Sequence, residues 1–305
     1  PKSNFDHLYL TCYNISSIRL IDLEEKTVTM LPHLAKTTDR PALINWTTDE
    51  NQDMIVSCDL EKEGNIHVLK TRVSEFKSEV KLGQKHKGVT GAFVHPNTGK
   101  LYYTIYPDQE IYEYNLEDKT TTKIAKHPRV KETLRMVVHP TGKYAYFMVI
   151  NRNYILRSDF NGETFTAPYV IAGVNSNKDT YVYQDGVGNQ ARFGNPYSGV
   201  FVKNPEYAGN SDEYDFYLTD RHNHAIRILS PLGQVTTYAG RGSASLNSNP
   251  WGYANGRLRE DARFNRPKGI AWDERDNTIY VGDANNYRIR KIGLEEDVPE
   301  EDINE

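Results

Sequence analysis

Short apolar strands separated by polar turns recur along the whole chain. LYLTC (8–12), MIVSC (54–58), LYYTI (101–105), YFMVI (146–150), FYLTD (216–220) and IYVGD (279–283) each run into a polar turn and then into a second strand. That second strand opens on an Ile-Arg pair or a close variant: Ile18-Arg19, Ile66-His67, Ile111-Tyr112, Leu156-Arg157, Ile226-Arg227 and Ile289-Arg290. A strand, a short polar turn and a second strand predict a hairpin. Upstream of five hairpins lies another apolar run, ALINW (42–46), GAFV (91–94), RMVV (135–138), GVFV (199–202) or GIAW (269–272). Downstream come Thr-rich strands such as TVTM (27–30), TTTKIA (120–125) and QVTTYA (234–239). Four strands per unit, with units beginning 48, 45, 45, 70 and 63 residues apart, predict an all-β, six-bladed β-propeller of four-stranded blades.

The predicted blades centre on hairpins 8–22, 54–70, 101–115, 146–159, 216–229 and 279–292, in one domain over 1–292. Closure of the ring is atypical on this reading. No innermost strand fits before Leu8, and the last repeat ends at Ile292, followed by a tail, 293–305, rich in acidic residues and expected to be disordered. No stretch keeps apolar residues at helical spacing for a dozen positions, so helix is expected to be scarce.

Composition adds exclusions. A net charge of -4 gives no global attraction to phosphate backbones, and no basic run is present, so nucleic acid is not an expected partner. No apolar stretch approaches the roughly 20 residues that a membrane-spanning helix needs. The chain starts at Pro1, consistent with removal of a leader or with a further N-terminal module in the full-length protein. Cys12 and Cys58 end equivalent strands in adjacent repeats, too far apart for the roughly 7 Å limit of a disulfide, so both are expected as buried thiols.

Two copies of the repeat are far more similar than the rest: Asp220–Leu229 (DRHNHAIRIL) and Asp283–Ile292 (DANNYRIRKI). Each is preceded by a long connection, DGVGNQARFGNP (185–196) or NGRLREDARFNRP (255–267), that itself follows an Ala-Gly, Ala172-Gly173 or Ala239-Gly240. Together these features resemble the NHL-repeat family of propellers, and in particular its bacterial, Bacteroidetes-type cell-surface members. The resemblance is strong over 172–292 and reduces to strand spacing over 8–171. It implies an extracytoplasmic location, at the cell surface or in the periplasm.

Most motif residues read as scaffold. Asp220 and Asp283 can accept hydrogen bonds from the following turn, and Asn223 and Asn286 suit a left-handed turn backbone. Ile226 and Ile289 are expected to pack between blades, and Arg227 and Arg290 to span to a neighbouring blade. Phe193 and Phe264 are expected to plug the gap between successive blades, and His224 holds the position of the family's middle letter.

Loops between second and third strands share a face with the connections between blades. The two longest connections, 173–196 and 240–266, lie there, and loops of this length in a compact domain are commonly functional. The same face is predicted to carry Trp251, Tyr253, Arg221, His222, Arg152, Arg135, Tyr106, Tyr287 and Tyr183. Flat aromatics can stack on the C–H face of a sugar, while Asn, Asp and Arg bind its hydroxyls. The expectation is a non-catalytic recognition module for a glycan, with a protein-interaction scaffold as the alternative and a metal-dependent hydrolase or lyase as the second. No cofactor is expected. Calcium or zinc on the axis would need converging carboxylates or imidazoles, whereas the candidate innermost strands offer only Asn45 and Arg135 as polar side chains.

Overall fold

The computed structural model describes residues 7–12, 17–31, 40–46, 54–59, 64–70, 75–83, 88–106, 110–115, 118–176, 182–241 and 250–293; side chains 12, 40–46, 57–59, 64, 65, 67–70, 75–83 and 90 are not described. The Cys12 and Cys58 thiols and the tail beyond Gly293 therefore lie outside the described residues. Strands and 3₁₀ turns make up the regular structure that is described.

Six hairpins form, but the propeller has five blades, not the six predicted. The first blade is built from β4 (Arg40–Trp46), β5 (Met54–Asp59), β6 (Gly64–Lys70) and β7 (Glu75–Gly83). The second has β8 (Val89–Val94), β9 (Leu101–Ile105), β10 (Glu110–Tyr114) and β11 (Thr121–Lys126). The third has β12 (Thr133–Val138), β13 (Tyr144–Val149), β14 (Tyr154–Asp159) and β15 (Tyr169–Gly173). The fourth, β17 (Pro196–Lys203), β18 (Tyr214–Asp220), β19 (Ala225–Leu229) and β20 (Gln234–Ala239), gains an outer edge from the two-residue β16 (Gly186–Val187). The fifth has three strands, β21 (Pro267–Asp273), β22 (Thr278–Asp283) and β23 (Arg288–Ile292). The first hairpin belongs to a separate three-stranded sheet, β1 (His7–Cys12), β2 (Ser17–Asp22) and β3 (Thr27–Met30), which has no innermost strand of its own. The Ile-Arg pair counts hairpins, whereas a blade needs an innermost strand, and only five apolar runs supply one.

All pairings within the sheets are antiparallel, and each innermost strand carries a register irregularity near its start, as between Thr133 and Arg135 or Pro196 and Ser198. Such bulges bend a strand and re-aim its side chains. Between the third and fourth blades the core is aromatic: Tyr144, Tyr146, Phe201 and Phe216 pack with ring centroids 4.8–5.8 Å apart. Gly199 is obligatory there, since a Cβ would lie 2.2 Å from the Phe216 ring.

The His-Pro turns are buried joints between neighbours. His95 Nε2 meets the Gly142 carbonyl at 2.9 Å, and His139 lies 3.2 Å from Asp212 with its ring against Tyr144, Phe201 and Tyr214. Burial, outweighing the Asp212 carboxylate, drives the His139 pKa down to about 4.

Candidate functional site

The two strongest repeats fold into one device used twice. Arg227 is fully buried; its guanidinium donates to Asp220 (2.7 Å), Asp185 (2.7 Å) and the carbonyls of Gln184 (2.8 Å) and Arg192 (3.1 Å). Asp220 also accepts from Asn223 Nδ2 (2.8 Å) and from the Gly194 N–H (2.7 Å). In the fifth blade Arg290 donates to Asp283 (2.9 Å), Asn255 (2.7 Å) and the carbonyls of Ala254 (2.6 Å) and Arg263 (2.8 Å). There Asn286 Nδ2 and the Asn265 N–H complete Asp283 at 2.8 and 2.7 Å. An Arg with nearly every N–H satisfied can be buried at tolerable cost, because charge-assisted hydrogen bonds offset desolvation. Each lock ties the long connection to the hairpin that follows it.

Structure refines three expectations about these residues. The left-handed position is one residue beyond the predicted Asn: His224 (φ 54°) and Tyr287 (φ 55°) adopt it, while Asn223 and Asn286 serve as side-chain ligands of the Asp. Ile226 is fully buried but Ile289 is 37% exposed. Phe193 and Phe264 are buried, each with its ring 5.0–5.4 Å from the lock guanidinium.

Around these locks stand the aromatic residues of the long connections. Tyr183 covers Arg227 at 4.8 Å and hydrogen-bonds Thr237 at 2.6 Å; Tyr253 covers Arg290 at 4.9 Å and Arg288 at 5.1 Å. Asn286 also donates to the Gly252 carbonyl at 2.7 Å, which fixes the Trp251–Tyr253 segment against the turn that carries Tyr287. Trp251 (49%), Tyr253 (54%) and Tyr287 (91%) thus form an exposed aromatic rim on a rigid base.

A second group gathers at the starts of the innermost strands. Arg135 on β12, Arg221 at the β18–β19 turn and Lys268 on β21 converge on the Tyr197 ring of β17, at 5.8, 5.7 and 5.6 Å from its centroid. Arg221 Nη1 donates to His222 Nε2 at 3.0 Å, and His224 Nδ1 accepts the Arg266 N–H at 3.1 Å. Burial, reinforced by Arg221 and Arg266, lowers the pKa of both His222 and His224 to about 4, so both imidazoles are neutral near pH 7 and suited to accept.

Of the predicted face, Arg135, Arg221 and His222 come together, and Trp251, Tyr253 and Tyr287 form the rim. The other members have local partners: Arg152 pairs with Glu132 at 3.0 Å, and Tyr106 accepts from Asn151 Nδ2 at 2.6 Å. Tyr197 and Lys268 are not among the residues that the sequence places on this face. Both directly follow a proline at the start of an innermost strand, Pro196 and Pro267, and that shared polar position was the available signal. Among the described residues no three His, Cys, Asp or Glu side chains gather as a metal site would require, and no helix is long and apolar enough to cross a membrane.

Comparison with known proteins is consistent with this architecture. The NHL repeat family matches residues 264–292. An auxiliary nutrient binding protein from Bacteroides thetaiotaomicron superposes with a TM-score of 0.83 at 39% identity, over 96% of this chain and 67% of that one. A protein of the same description from Bacteroides ovatus gives 0.82 at 38% identity, over 96% and 67%. NHL repeat-containing protein 2 from Bos taurus is 31% identical over 112 residues, 36% of this chain but only 13% of the length of that relative.

Proposed function

We propose that this chain, which belongs to the NHL-repeat family of β-propellers, is the recognition module of an extracytoplasmic protein and binds a saccharide on the face carrying the two long connections. The observation that carries the proposal is the rim of Trp251, Tyr253 and Tyr287, exposed yet anchored through Asn286 and Arg290 to a buried ionic lock. Exposed aromatics on a mobile loop lose side-chain freedom when they bind; held in advance, they lose less. Flat rings of this kind suit the apolar face of a sugar, and the neighbouring Arg and Asn groups suit its hydroxyls.

Support from relatives runs the same way. Two structures of 38–39% identity are described as auxiliary nutrient binding proteins, and both extend beyond the region shared with this chain. We read this chain likewise as the ligand-binding part of a larger extracytoplasmic protein. The test is a calorimetric titration of an oligosaccharide panel into the parent protein and into a Trp251→Ala/Tyr253→Ala variant. Saturable binding lost in the variant is expected; no binding by the parent to any of a broad panel would remove the saccharide reading.

A further inference from the structure

Arg135 stands apart from the other buried arginines. It is 8% exposed, and its Nε and Nη1 are buried with no hydrogen-bond partner among the described residues. Arg227 and Arg290, by contrast, each make four hydrogen bonds, including one to a fully buried aspartate. Arg227 leaves only its Nε unpaired among the described residues, so the fold can satisfy most of a buried guanidinium where one is structural. A buried charge without partners costs several kcal/mol by general experience, so it persists where something outside the chain supplies the partner.

Its sister positions show that the scaffold does not need it. The residue that follows the same register irregularity is Gly91 in the second blade and Ser198 in the fourth. Nor do the described residues place a carboxylate on the charge. The ionisable neighbour acting on Arg135 is the Tyr197 phenol, and the same ring is approached by two further cations, Arg221 and Lys268. Carboxylates of the third and fourth blades are engaged elsewhere: Asp220 by Arg227 and Asn223, Asp185 by Arg227 and Thr237, Glu132 by Arg152. Three cations from three blades approach one aromatic ring, and Arg135 among them is buried with its Nε and Nη1 unpartnered among the described residues.

We propose that the ligand carries an oxyanion, specifically the carboxylate of an acidic sugar, and that Arg135 receives it with Arg221 and Lys268 alongside. A planar guanidinium fork matches a carboxylate, and Tyr197 offers a surface for the attached ring. This deepens the saccharide reading and rests on it.

The probes are sodium D-glucuronate and its neutral methyl ester, titrated into the whole chain with ligand-observed NMR, which detects millimolar binding. The parent is expected to bind glucuronate at least about ten-fold more tightly than the ester, the discrimination of one good charge-assisted contact. Arg135→Gln is expected to abolish that preference while leaving the unfolding midpoint at or above that of the parent, because no protein partner is lost. Equal binding of acid and ester, or binding confined to neutral sugars, overturns the oxyanion while the saccharide reading stands. A preference for glucuronate that survives Arg135→Gln overturns the assignment to Arg135. A midpoint lowered by several degrees in Arg135→Gln shows that the side chain is structural and overturns it too. No binding of either probe or of any oligosaccharide removes both proposals.

Discussion

The third and fourth blades occupy equivalent places in the propeller and solve the same problem by different chemistry. In the fourth, Arg227 is fully buried and locked to Asp220 and Asp185; in the third, the equivalent position is the buried, apolar Leu156, and the next residue, Arg157, is partly exposed, stacked on Tyr144 at 3.8 Å and paired with Asp159 at 2.7 Å. The third blade has Val149 where the fourth has Asp220, so its hairpin has no acid with which to close a lock. Cohesion there falls to buried aromatics and aliphatics, including Tyr146, Phe147, Ile155 and Leu156. A lock is strong but brittle, since removing one partner leaves a buried charge; an apolar core loses stability roughly in proportion to what is removed.

The largest expected effect breaks the lock. Asp220→Ala strands the Arg227 guanidinium and should cost about 3–5 kcal/mol in denaturant unfolding. A loss under about 1 kcal/mol would show that the network contributes little. Next comes the aromatic joint: Gly199→Ala forces a methyl into the Phe216 ring and should cost about 1–3 kcal/mol by overpacking. Arg157→Met, on the other side of the comparison, should change stability by no more than about 1 kcal/mol, as expected for a part-exposed pair. Equal losses from Asp220→Ala and Arg157→Met would erase the distinction between the blades.

Acidity probes both regions together. His139 in the aromatic joint, and His222 and His224 beside the lock, all have pKa values lowered to about 4 by burial. Between that value and the unfolded value near 6.5, the unfolded chain binds the extra protons, so stability falls as pH drops through this window. His139→Phe should flatten the slope of unfolding free energy against pH over that range; an unchanged slope would remove His139 as a contributor.

How much of this the sequence discloses follows from the same contrast. The locks use Asp, Asn and Arg at fixed spacing, so DRHNHAIRIL and DANNYRIRKI stand out and their structural role can be inferred. The aromatic joint leaves no such trace, because a Tyr or Phe in a strand has the same pattern whichever neighbour it meets. The Ile-Arg pair overcounts the blades because it marks the second hairpin strand, and the first hairpin has no innermost strand before it. Arg135 was visible as a lone polar residue in an apolar run, but its missing partner was not, since hydrogen bonding depends on side chains drawn from three blades. Tyr197 and Lys268 stayed hidden for that reason as well.

The central claim is that the repeated arginines hold the scaffold and the unrepeated one awaits a ligand. Thermal unfolding of Arg227→Met and Arg135→Met, side by side without ligand, tests it most directly. The account predicts a midpoint roughly 5 °C or more below the parent for Arg227→Met, and one equal to or above the parent for Arg135→Met. Comparable losses in both variants would contradict it.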